Sequence, residues 1–173
     1  MTPNCDAAHT CAFTGHRPSR LPWRYNEQNP ACADLKSRIY NTLVSLYNTG
    51  VRHFICGMAQ GCDTYFAEAV LRLKDAFSDV TLEAAVPCEN QDEKWPPASR
   101  ARYRGIIEKC DRCTLISREY TADCMRLRNY YMVDSAEYLV CVYGGGSGGT
   151  LQTINYARRR GRSITVLEPR AQY

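Results

Sequence analysis

A run of apolar and β-branched residues, Leu139-Val140-Cys141-Val142-Tyr143, passes directly into Gly144-Gly145-Gly146-Ser147-Gly148-Gly149, where five of six residues are glycine. Thr150 then leads into a helix-period segment, with Leu151, Ile154 and Ala157 on one stripe and Gly161 as its stop. Strand, glycine loop and helix N-terminus in that order form an arrangement that binds phosphate. Glycine lets the backbone approach an anion, successive N–H groups point at it, and the helix dipole favours negative charge. A flexible surface turn is the competing account of the same residues.

The rest of the chain repeats this alternation. Strand-like runs are expected at 10–14, 53–56, 80–86, 114–116, 138–143 and 164–167. Between them lie helix-period stretches. Leu35, Ile39, Leu43 and Leu46 mark one over 33–48, and Phe66, Ala69, Val70, Leu73 and Phe77 mark a second. Tyr103, Ile106, Ile107 and Cys110 mark a third, and residues 125–133 carry a fourth. Residues 18–31 and 87–97, rich in proline, read as irregular excursions. Strands alternating with helices imply right-handed crossovers, hence an α/β fold whose mostly parallel sheet of about six strands has helices on both faces. No repeat, linker or low-complexity tract divides the chain, so one domain is expected over 1–173 with its core at about 10–168. Ligands of such sheets bind beyond the carboxyl ends of the strands. The turns at Gly15, Gly57 and Gly144 and the loop from Pro87 are all expected there.

Composition narrows the function. No stretch approaches the roughly 18 apolar residues of a membrane span, and the N-terminus lacks a signal-peptide core. Ten cysteines invite comparison with a disulfide scaffold, but Cys11, Cys56 and Cys141 sit inside strand-like runs, where a reduced thiol behaves as a small hydrophobe. A cytoplasmic protein with free thiols is expected. A net charge of +4 suits an anionic ligand and is too small to argue for a nucleic-acid surface. Cys110-x-x-Cys113 lacks the second pair of ligands that a structural zinc site needs, so no metal and no cofactor are expected. Arg158-Arg159-Arg160 closes a helix, where it offsets the dipole.

Several residues at the expected sheet edge carry chemistry. In Thr14-Gly15-His16-Arg17-Pro18, the Arg17 fork matches phosphate or carboxylate, and His16 titrates near neutrality or donates a hydrogen bond. In Gly57-x-x-x-Gly61-x-Asp63 the glycines permit close backbone approach. Asp63, at a helix start, is either an N-cap or an acceptor for ribose hydroxyls. Arg126 and Arg128 lie on the helix that feeds the glycine-loop strand, where an arginine can reach an anion across the loop. His9 and His53 read as strand-flanking residues without a role.

Four motifs taken together, Phe13-Thr14-Gly15-His16-Arg17-Pro18, Phe54 to Asp63, Ala85-Val86-Pro87-Cys88-Glu89 and Asn129-x-x-Met132-Val133-Asp134, resemble the YpsA-like branch of the SLOG superfamily. That superfamily groups Rossmann-like proteins related to the DNA-processing protein DprA and to the Lonely Guy (LOG) nucleotide phosphoribohydrolases. The resemblance implies a three-layer Rossmann-like domain with a pocket for a nucleotide-derived ligand. It also implies self-association, a dimer first. The pocket is then expected to draw on Thr14, Gly15, His16, Arg17, Gly57, Gly61, Asp63, Pro87, Glu89, Arg128, Gly144, Gly145, Gly146, Ser147, Gly148, Gly149 and Thr150.

The LOG pattern sharpens the expectation. It is a Met-x-x-Arg helix, a strand, then Pro-Gly-Gly-x-Gly-Thr-x-x-Glu, with the arginine and glutamate as catalytic pair. Met125-x-x-Arg128 is similar to the first part, and Gly144, Gly145, Gly149 and Thr150 are similar to the second. Tyr143 replaces the proline, and Thr153 stands where the glutamate belongs. Cleaving an N-glycosidic bond passes through an oxocarbenium-like state that a carboxylate stabilises while handling the water, and threonine does neither. The expectation is therefore binding, as a sensor or regulatory domain, without LOG-type hydrolysis. The alternative is a phosphoribohydrolase in which Asp63 or Glu89 has become the acid/base beside Arg128. Single-stranded nucleic-acid binding of the DprA kind ranks last, and Tyr130-Tyr131 is its best support.

Overall fold

The computed structural model describes residues 6–171; residues 1–5 and 172–173 of the single 1–173 domain expected from sequence lie outside the described residues. Among the described residues six strands alternate with five α-helices: β1 (Thr10–Gly15), α1 (Pro30–Asn48), β2 (His53–Cys56), α2 (Cys62–Ala76), β3 (Thr81–Val86), α3 (Pro97–Ile107), β4 (Arg112–Leu115), α4 (Cys124–Asp134), β5 (Tyr138–Val142), α5 (Gly149–Arg159) and β6 (Ser163–Leu167). The sheet order is β4-β3-β2-β1-β5-β6. Every pairing is parallel, so the sheet is parallel throughout.

Right-handed crossovers explain the layering. From β1 to β4 the chain steps outward in one direction, and residues of α1, α2 and α3 pack with Cys11, Phe13, Phe54 and Leu82 in one core cluster. The chain then crosses back to place β5 on the other side of β1. Met132 and Val133 of α4 and Ala157 of α5 pack with Ala12, Ile55 and Ala85 in the second cluster. Alternate residues of each strand thus feed opposite faces. The larger core is anchored by Phe13 stacked on Phe66, ring centres 4.4 Å apart. The smaller face holds a buried polar group: His53 Nε2 lies 2.8 Å from Glu83 Oε2, while the Thr114 and Tyr131 hydroxyls donate to Glu83 Oε1.

Several strand ends shift by a single residue, Cys110 falls beyond the end of α3, and the start of α1 and the limits of β4 differ by more. α1 starts at Pro30 rather than 33, because the Asn29 side chain accepts the Ala31 N–H and Pro30 needs no partner in the first turn. β4 is Arg112–Leu115 rather than 114–116: pairing with β3 sets its register, Glu83 opposite Arg112, and this edge strand is largely exposed.

The direction of travel reverses between β1 and β5. Their following loops leave toward opposite faces of the sheet and open a crevice at the carboxyl edge, where open α/β sheets hold ligands.

Candidate functional site

Two corners interlock on one side of the crevice. A Cβ on Gly15 would lie 2.6 Å from that of Cys62, so β1 ends directly against the first residue of α2. The Cys62 N–H donates to the His16 carbonyl at 3.2 Å. Gly61, with φ of 88°, caps α2, and a side chain there would run into Pro18. Asp63 is therefore not the N-cap. It lies inside the first turn, 6% exposed, and its Oδ2 accepts the Ala59 N–H at 3.0 Å.

These corners wall a hollow of about 330 Å³. Of the residues expected from sequence, Thr14, Gly15, His16, Arg17, Asp63, Arg128, Gly148, Gly149 and Thr150 line it. Ser19, Arg20, Ala59, Met125, Asn129 and Met132 line it too, and none of them was expected as a site residue. Three arginines thus face the hollow against one carboxylate.

Arg128 is 5% exposed. Its Nη1 donates to the Gly57 carbonyl, its Nε donates to Asn129 Oδ1 at 2.7 Å, and its Nη2 lies 3.9 Å from Met125 Sδ. A guanidinium has five N–H donors, so part of the fork remains available. Burial pushes its pKa down and the charge of Asp63 pulls it back up. For Asp63 the signs invert: burial raises its pKa, and Arg128, the Ala59 N–H and Arg17 oppose the rise. Gly57 does not line the hollow. A Cβ there would sit 2.6 Å from Arg128 Cζ, so its role is to admit the guanidinium.

The glycine loop closes the other side. Gly145, Gly146 and Gly148 have φ of 103°, 85° and 130°. Gly148 caps α5 without a side-chain hydrogen bond, and Gly148, Gly149 and Thr150 at this helix start line the hollow. Gly144, Gly145 and Gly146 instead line a neighbouring shallow hollow with His16, Arg20, Pro22 and Pro169. Arg20 faces both hollows, and its Nη1 donates to the Ser147 carbonyl. His16 Nε2 accepts the Gly144 N–H at 3.0 Å, which makes it a neutral imidazole; burial and then Arg20 lower its pKa.

The remaining expected residues lie elsewhere. The Pro87 carbonyl accepts the Ser117 N–H, and Glu89 is exposed with its N–H on the Arg118 carbonyl; neither lines the two hollows just described. Gly61 serves the corner. Arg126 is exposed and paired with Asp123 at 2.8 Å. Thr153 is buried and its hydroxyl donates to the Gly149 carbonyl on its own helix. Tyr130 stacks on Tyr156, and Tyr131 serves Glu83.

Comparison with known proteins agrees with the fold. The model of the YspA SLOG family matches residues 11–167. A UPF0398 protein of Halalkalibacterium halodurans is 28% identical over 140 residues, covering 80% of this chain and 74% of its own. The SPbeta prophage-derived protein YoqJ of Bacillus subtilis is 26% identical over 157 residues, 82% of this chain and 92% of its own. Among solved structures, the DNA processing protein A (DprA) of Streptococcus pneumoniae superposes with a TM-score of 0.62 at 14% identity. The match covers 92% of this chain and 50% of that one, so the present chain spans about half of the streptococcal protein. DNA processing protein A of Helicobacter pylori, described for its single-stranded DNA binding mode, gives 0.65 at 14% identity, covering 96% and 68%. At that identity the two structures speak to the fold alone. Among the described residues no helix is long and apolar enough to cross a membrane.

Proposed function

Since the chain belongs to the YspA SLOG family, we propose that the hollow between β1 and β5 binds the phosphate of a nucleotide-derived small molecule, as a sensor or regulatory site without LOG-type hydrolysis. One observation carries the reading: Arg17, Arg20 and Arg128 face the same hollow as the uncapped start of α5 at Gly148–Thr150. Arginine forks and free helix N–H groups are the two protein devices best matched to phosphate oxygens, and they reinforce each other at a strand-order switch. The lack of hydrolysis is supported by Thr153, whose hydroxyl is spent on the Gly149 carbonyl and is turned away from solvent.

A thermal-shift screen against nucleoside mono- and diphosphates and ADP-ribose tests the reading. Ligand at 100-fold above Kd contributes about 2.7 kcal/mol, which raises Tm by roughly 5–10 °C for a domain of this size. Arg17→Ala and Arg20→Ala remove exposed side chains, leave the fold intact and are expected to reduce the shift sharply. A flat response to every phosphorylated compound contradicts the reading.

A second reading rests on Asp63, a buried carboxyl at the hollow with a raised pKa, as a general acid requires. It predicts release of free base from a nucleoside 5′-monophosphate, lost in Asp63→Asn. Bound but intact nucleotide after long incubation rules it out.

A further inference from the structure

A second hollow, of about 460 Å³, adjoins the first. Met125 lines both, and Gln91 on its wall donates from Nε2 to the carbonyl of Met58, the residue before Ala59 of the first hollow. The two compartments differ in chemistry. The first faces three arginines; in the second, Glu93 and Lys94 cancel, and Trp95, Tyr120 and Met125 share the wall with Cys88, Asn90 and Gln91. Trp95 is braced edge-on by Tyr103, ring centres 5.3 Å apart, while Tyr120 is 67% exposed. An exposed tyrosine beside a braced tryptophan and a methionine is a surface for a flat, polarisable ring.

We propose that this second hollow holds the planar heterocycle of the ligand, stacked on Trp95 and Tyr120, while its phosphate lies among the arginines. The inference rests on the phosphate reading above and adds what that reading lacks: selection for a nucleobase over a bare sugar phosphate.

Calorimetric titration of the full chain with AMP, GMP, CMP and UMP, each against ribose 5-phosphate, tests it. The best nucleotide is expected to bind roughly 10- to 100-fold tighter than the sugar phosphate, the range that base–aromatic stacking supplies. Tyr120→Ala and Trp95→Ala should erase most of that advantage and leave ribose 5-phosphate affinity unchanged, and Trp95→Phe should restore it. Tyr120 is exposed, so its variant keeps the test valid if Trp95→Ala fails to fold. Equal affinity for nucleotide and sugar phosphate, or variants that weaken both alike, overturns the proposal and leaves the phosphate reading standing. Failure of both probes to bind the wild-type chain overturns the two together.

Discussion

A guanidinium buried as deeply as that of Arg128 is costly unless its donors are used. Gly57, Asn129 and Met125 take some of them and hold the fork in one orientation facing the hollow. The arrangement depends on a missing side chain, because a Cβ at Gly57 would lie only 2.6 Å from Arg128 Cζ. Gly57→Ala is therefore expected to displace the arginine and weaken phosphate binding by tenfold or more, about 1.4 kcal/mol, with circular dichroism near wild type. Unchanged affinity by titration calorimetry would remove Arg128 from the account. At this scale the sequence was informative where a motif carried the residue, as for Arg17, Asp63 and Arg128. It was silent on Arg20, which reaches Ser147 across 127 positions. No local period encodes such an approach. Nor did the sequence distinguish the two uses of glycine: Gly57 makes room for a protein side chain, whereas Gly148 opens a helix end.

Between elements, the buried group on β3 ties β2, β4 and α4 together. Burial alone would raise the pKa of Glu83, but hydrogen bonds from His53, Thr114 and Tyr131 override it and hold the carboxyl at about 2. A carboxyl depressed in the folded state binds fewer protons than its unfolded counterpart, so its contribution is complete above its ordinary value of 4.5 and disappears as pH falls toward 2. Urea unfolding should lose about 2 kcal/mol between pH 7 and pH 3 through this group, and Glu83→Gln should flatten that part of the profile. An unaltered acid limb in the variant would show that the pairing contributes nothing. His53 gave no hint of this in the sequence, where it read as a residue flanking a strand. Its partner is 30 residues away, and cross-strand partners depend on register. Element types, by contrast, were legible from periodicity. Among the misplaced ends were the start of α1, decided by a proline and an asparagine cap, and β4, an edge strand whose limits follow its neighbour.

At the scale of the molecule, alternating strand and helix signals were enough to read an α/β fold with a parallel sheet. They do not say where the fifth strand goes. Its return to the far side of β1 sets the direction of the surrounding loops and hence which of the glycine corners share a cavity. For that reason Gly148–Thr150 join Arg128 and Asp63 in the main hollow, while Gly144–Gly146 turn into the shallow one beside it. The central claim is that a phosphate lies between the arginines and the start of α5. Amide-resolved NMR during titration with AMP tests it most directly. The account predicts saturable shifts concentrated at the N–H groups of Gly148, Gly149 and Thr150 and at the side-chain Nε–H of Arg17 and Arg128. Saturable binding that leaves these groups unmoved and perturbs another surface would contradict it.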